Sequence, residues 1–319
     1  MMEKINGKIT LKKILTEAKS LIIPLVVMAL WGSLFPFIKI GYSAFGIDSS
    51  SIPDILMFAA FRFTVCGAVV CGFSAVKRER LAPPKLKSVG LIVMMGFFGI
   101  VLHYAFTYIG LSFIDASKTA LIKQLGALLY VCFAFLFVKS EKYSTAKIIG
   151  AIAGFMGIVA INFGSDGISF DLGSLLILMA SVCSVVSSVM SAVSVKDSSP
   201  FWVTGISQTV GGVILLIAGF IMGGDVPSFN LKSTLVFAYI CIASIIAYTL
   251  WYYCQRKVSL SKLFIIKFAE PLFACVFGAL FLGEEIFKIQ YLLAFILISA
   301  GIVLGNKDKK DPEPACDEE

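Results

Sequence analysis

Residues Ser261 to Leu282 read Ser-Lys-Leu-Phe-Ile-Ile-Lys-Phe-Ala-Glu-Pro-Leu-Phe-Ala-Cys-Val-Phe-Gly-Ala-Leu-Phe-Leu. The run is long and apolar enough for a helix to cross the roughly 30 Å hydrocarbon core of a bilayer. It nevertheless carries Lys267, Glu270 and Pro271 in its first half. A helix face turned to lipid does not tolerate that cluster, so this face must look into a polar interior. The chain holds the stretch twice. A shift of 144 residues lays Ser117, Lys118, Ile122, Lys123, Leu128, Phe133, Leu136, Phe137 and Glu141 on Ser261, Lys262, Ile266, Lys267, Leu272, Phe277, Leu280, Phe281 and Glu285. The same register continues through Gly157, Ile158, Val159 and Asn162 onto Gly301, Ile302, Val303 and Asn306. This is an internal duplication.

Outward from that stretch the whole chain has one character. It is 58% hydrophobic and only 15% charged, with a mean hydropathy of +0.93, which excludes an ordinary water-soluble globular domain. A ruler of about 20 apolar residues per crossing marks ten candidate spans: 20–41, 54–76, 86–111, 115–138, 144–163, 171–195, 201–222, 232–254, 260–282 and 287–306. The expected fold class is therefore an all-α polytopic membrane protein of ten transmembrane helices. Its expected parts are a cytoplasmic N-terminal segment 1–19, a first five-helix repeat 20–163, a second 171–306 and a disordered cytoplasmic tail 307–319. No removable signal peptide is read at the N-terminus, because the first apolar run leads into further spans and not into a small-residue cleavage site. Seven of the eight cysteines lie in apolar runs, none forms a C-x-x-C pair and Cys316 sits in the tail, so they read as reduced packing residues.

The net charge of +7 is scattered over loops rather than gathered on a face, which points to membrane orientation and not to nucleic acid. With the N-terminus placed in the cytoplasm, 19 lysines and arginines fall in inner segments and only Lys118, Lys232 and Lys288 in outer ones. Both termini are then cytoplasmic. Five spans per repeat is an odd number, so the two repeats are inverted in the membrane, an architecture of alternating access.

Five ionisable residues fall inside spans: Lys39, Arg62, Lys123, Lys267 and Glu270. Arg62, Lys123 and Lys267 lie roughly 10 to 12 Å from the start of their helices, near mid-depth, whereas Lys39 is close enough to its helix end to snorkel. Lys267 and Glu270, three apart, share a helix face within reach of an ion pair. Pro271 removes the N–H that would bond the Lys267 carbonyl and so kinks that turn. In the first repeat Gly126 and Ala127 replace Glu270 and Pro271, with Gln124 nearby, which leaves a glycine to weaken the helix but no carboxylate. Arg62 corresponds to Ser207 and also has no charged twin.

Trp31, Tyr104, Tyr108, Tyr130, Tyr248, Trp251 and Tyr252 can frame a substrate or serve in interfacial belts and packing. His103 is the only histidine and reads as satisfied by a neighbour. Ser181, Ser184, Ser188 and Ser191 form a stripe that reads as close helix packing. The Gly150-x-x-x-Gly154 and Gly301-x-x-x-Gly305 pairs read likewise.

Trp31-Gly32 followed by Lys39, Arg62-Phe63, and the Glu270-Pro271 helix ending in Phe281-Leu282-Gly283-Glu284 make the chain resemble the drug/metabolite transporter superfamily, in its EamA-type branch, from about Leu21 to Asn306. The resemblance implies a prokaryotic inner-membrane carrier of small metabolites, often an exporter of amino acids, working through a central cavity open to each side in turn. The sequence departs from that pattern at Gly126-Ala127, where many members have a proline, and at Ser184, where a second tryptophan is common.

The functional expectation is a secondary transporter, an exporter of an amino acid or another carboxylate-bearing compound. Arg62, Lys123, Lys267 and Glu270 are expected at the substrate, with Trp31, Tyr104, Tyr248, Trp251, Gln124 and Lys39 around it and Gly126 and Pro271 as bending points. A phosphorylated metabolite or nucleotide sugar is the alternative cargo. A coupling proton is a candidate partner, and no cofactor or metal is expected. A membrane-embedded enzyme is disfavoured: the chain has no H-E-x-x-H, no G-x-S-x-G and no paired intramembrane aspartates.

Overall fold

The computed structural model describes residues 2–48, 50–77, 81, 83–111, 113, 116–138, 141–161, 171–283 and 289–306. Those residues are helical throughout apart from short connections, with no strand among them. In chain order the helices are α1 (Met2–Phe45), α2 (Ile52–Val76), α3 (Leu86–Gly96), a π-helical turn (Phe97–Leu102), α4 (His103–Leu111), α5 (Ala116–Phe137) and α6 (Thr145–Ile161). They continue as α7 (Leu172–Asp197), α8 (Pro200–Ile221), α9 (Leu231–Gln255), α10 (Leu260–Lys267), α11 (Ala269–Leu282) and α12 (Ile289–Asn306). Seven stretches are long and apolar enough to cross a membrane, and Ile122–Leu136, Thr145–Val159 and Leu292–Gly305 are shorter apolar helices. The fold is that of a polytopic membrane protein.

Three boundaries differ from the sequence reading. The helix that contains the first span begins at Met2, so residues 2–19 are its continuation and not a separate segment. The third span is not a uniform helix, because six residues from Phe97 to Leu102 widen into a π-turn. The ninth is broken in two, with Phe268 between α10 and α11. The tail 307–319 lies outside the described residues.

The helices pack in corresponding pairs. α2 lies against α8 and α6 against α12; α1 packs on α9 and on α10 and α11, while α7 packs on α3, α4 and α5. Glycine sets the closest approaches. A Cβ on Gly67 would strike the backbone of Thr209, and one on Gly212 the backbone of Thr64; a Cβ on Gly301 would run into the Gly150 carbonyl, and one on Gly157 would press on that of Ala294. Backbones this close give up side-chain volume in exchange for dense contact, the usual driver of helix association where lipid is the solvent. Around these contacts the outer faces stay apolar and exposed, for example Val69, Ile217, Leu235, Leu293 and Phe295. All seven described cysteines are free.

Candidate functional site

Helices α1 to α5 and α7 to α11, together with the π-turn, line a cavity of about 350 Å³. The break after Lys267 is what turns its side chain and Glu270 towards this space. Pro271 lacks the N–H for the Lys267 carbonyl, and the chain tightens there: the Phe268 N–H donates to the Ile265 carbonyl three residues back, at 3.3 Å. The expected ion pair between Lys267 and Glu270 does not form. Instead the Lys267 ammonium lies 5.7 Å from the Trp31 ring centre and 5.9 Å from that of Phe264, both within cation–π range. Glu270 Oε2 and Trp31 Nε1 are buried without a hydrogen-bond partner.

Arg62 is 3% exposed. Its Nε donates to the Ser244 hydroxyl at 3.1 Å, and its guanidinium sits 4.7 Å from the Phe63 ring centre. Tyr104 and Tyr248 are near enough to act on its charge. The ammonium of Lys123, half-buried on α5, makes no hydrogen bond or ion pair with the described residues. The cavity thus receives four cationic groups, Lys39, Arg62, Lys123 and Lys267, and the last three are ion-paired to no described carboxylate.

Every side chain expected at the substrate lines the cavity: Arg62, Lys123, Gln124, Lys267, Glu270, Trp31, Lys39, Tyr104, Tyr248 and Trp251. Gly126 and Pro271 do not line it but flank it on α5 and α11. Tyr108, Tyr252 and His103 line it as well, whereas Tyr130 lies outside it, 9% exposed and 5.0 Å from the Phe264 ring. His103 Nδ1 is 2.9 Å from the Ala180 carbonyl; a carbonyl only accepts, so Nδ1 carries the proton.

Two expectations need correction. The expected weak point at Gly126 is not a break, since α5 runs unbroken through it. The absent Cβ admits α7 instead: the Gly126 N–H donates to the Ser181 hydroxyl at 3.0 Å, and that hydroxyl donates to the Lys123 carbonyl at 2.6 Å. The serine stripe is also more than packing, because Ser181, Ser184, Ser188 and Ser191 all face the cavity. Sequence reading missed Tyr42, Thr107, Ser187 and the π-turn. The available signal there was Gly96 and Gly99, where a Cβ would meet the Ser207 carbonyl and the Ser187 hydroxyl.

The cavity has an exposed end and a sealed end. Phe35 and Lys39, near the C-terminal end of α1, are exposed. Towards the other end Trp251 is 3% exposed, Ser191 1% and Phe264 0%. Ser191 donates to Gln255 Oε1 at 2.7 Å; Trp251 lies tilted against Phe264, and Phe264 meets Tyr130 edge to face.

The EamA-like transporter family model matches residues 18–163 and again 171–306. The uncharacterized inner membrane transporter YedA of Escherichia coli is 25% identical over 282 residues, covering 86% of this chain and 87% of that protein. The uncharacterized transporter YdfC of Bacillus subtilis is 23% identical over 263 residues, with 81% and 82% covered. A WAT1-related chloroplastic protein of Arabidopsis thaliana is 27% identical over 266 residues, 79% of this chain and 63% of its own. A solved crystal structure shares the fold with a TM-score of 0.72 at 18% identity, over 90% of this chain and 96% of its own.

Proposed function

Because the chain belongs to the EamA-like transporter family, we propose that it is a secondary transporter, an exporter, of a small carboxylate-bearing metabolite, and that an amino acid is the best fit. The observation that carries this reading is the cavity with Arg62, Lys123 and Lys267 facing it and no described carboxylate paired to any of them. Unpaired cations at mid-depth are costly, and an anionic substrate group offsets that cost. Glu270 Oε2, buried and unpartnered, supplies an acceptor for an ammonium group or a coupling proton. The Trp31 indole N–H, equally unpartnered, supplies a donor beside Lys267. Together they match a zwitterion, with its carboxylate on Lys267, Lys123 and Trp31 and its ammonium on Glu270.

The cavity volume is at the small end of the roughly 300–1,000 Å³ typical of ligand pockets. That favours a small metabolite over a nucleotide sugar. A small phosphorylated compound is the second reading, favoured by the presence of four cations and only one carboxylate in the lining.

In this reading the three shorter apolar helices join the seven long ones to make ten crossings. The two repeats are inverted, and both termini face the cytoplasm of a bacterial-type inner membrane. The lysine and arginine asymmetry, the twofold family match and the paired helix contacts support that topology. The test is uptake and counterflow of candidate amino acids in reconstituted proteoliposomes, with organic phosphates as competitors. Lys123→Ala and Lys267→Ala are expected to lower turnover at least ~10-fold, the loss of one charge-assisted contact worth about 1.5 to 3 kcal/mol; unchanged turnover in both sinks the reading.

A further inference from the structure

The best-built polar cluster outside the cavity lies beyond its sealed end. Glu141, in the connection between α5 and α6, is 7% exposed and Lys147 on α6 is 2% exposed, and Lys147 Nζ is 3.4 Å from Glu141 Oε2. The other contacts of that carboxylate reach into the second half of the chain. The Ser261 N–H donates to Oε1 at 3.1 Å and the Ser261 hydroxyl donates to Oε2 at 2.7 Å.

Ser261 stands in the first turn of α10, whose Ser259 N-cap makes no side-chain capping bond. The first N–H groups of a helix lack partners within the helix and favour a negative charge. Glu141 fills that place from 120 residues away. Three residues further along α10, Phe264 closes the cavity floor and meets Tyr130 of α5. The cluster therefore sits directly behind the plug. The duplication carries the same residue types, Ser117 and Glu285, at the corresponding places of the other repeat.

We propose that Glu141 is the latch of the sealed end: its carboxylate, bound to Lys147 on its own half and to the first turn of α10 on the other, holds α5 and α10 together over the Tyr130–Phe264 plug. This rests on the reading of the chain as an alternating-access carrier. Opening that end requires α10 to leave the carboxylate, so the bonds made by Glu141 set how often the end opens. The hydrogen bonds of Glu141 reach no residue that lines the cavity.

The test measures the gap itself. Spin labels on Lys142→Cys and Arg256→Cys, both exposed positions flanking the cluster, report its width in the full-length protein with the native cysteines replaced. The parent is expected to give a short, narrow distance distribution with a minor longer component. Glu141→Gln is expected to raise the longer component at least ~5-fold, and Ser261→Ala by a smaller factor. Glu141→Gln also takes the negative charge away from Lys147, so Glu141→Gln/Lys147→Met is the deciding variant and carries the test if the single variant does not fold. An enlarged longer component in the double variant supports the latch. A parent-like distribution in the folded double variant overturns it. Failure of the carrier reading looks different: no longer component appears in any variant, and transport is indifferent to Lys123→Ala and Lys267→Ala.

Discussion

Ser181 bonds to α5 at the turn that carries Lys123, as Pro271 acts on the turn that carries Lys267, although α5 stays unbroken. Pro271 disrupts the backbone ladder after Lys267 from within its own helix. Ser181 reaches across from α7 to bond both the Lys123 carbonyl and the Gly126 N–H. Each lysine of the site thus sits on a turn whose hydrogen bonds are altered. A Gly126→Val substitution drives a side chain into Ser181 and should destabilise the protein by about 1–3 kcal/mol, the usual range for overpacking. Combining it with Ser181→Gly should recover part of that loss in thermal unfolding of the detergent-purified protein. Additive losses in the pair would show that the contact is not the cause. The buried charges of the site were legible in the sequence because a lysine or arginine in an apolar run stands out against its cost. The serines were not, because a hydroxyl bonded to a carbonyl one turn away, as in Ser188 to Ser184, looks the same from sequence whether its helix faces lipid, protein or a cavity.

At the scale of elements, the broken helix separates folding from turnover. Pro271 is the third residue of α11, where its missing N–H costs least, so the break is compatible with a stable fold. Pro271→Ala restores the donor for the Lys267 carbonyl and lets residues 260–282 run as one helix. Thermal stability is expected to hold or rise, by up to the roughly 3 kcal/mol that a proline costs a helix interior. Transport is expected to fall at least ~10-fold, since a continuous helix turns Lys267 and Glu270 onto one face and out of their present places. A variant that transports as the parent does would remove the break from the mechanism. The sequence announced this break through a single residue type with a fixed backbone consequence. The π-turn had no such marker: Phe97 to Leu102 is as apolar as its flanks, and the widening shows only where Gly96 and Gly99 let α7 and α8 approach.

For the whole molecule, the all-helical class and the order of the apolar segments are legible in hydropathy, whereas the sealed end is not. Glu141 lies in a polar connection where a carboxylate is unremarkable, and only the fold brings it to Ser261. The glycine contacts carry their own prediction. Gly301→Leu must push α12 off the Gly150 carbonyl, so the variant should fail to give a monodisperse protein on size exclusion, while Gly72→Leu, with open space around it, should not. A folded, active Gly301→Leu protein would show that the α6–α12 approach is dispensable.

The pairing of Gly67 with Thr209 and of Gly212 with Thr64 has one more consequence. Each contact is the other with the partners exchanged, as is that of Gly301 with Gly150 and of Gly157 with Ala294. Surfaces that are their own complements are what two identical subunits present to each other across a two-fold axis. Residues 1–165 and 166–319, made as separate polypeptides in one cell, are therefore expected to find each other and co-purify without a covalent link. A half-length forebear would have needed only a second copy of itself to build the same interface.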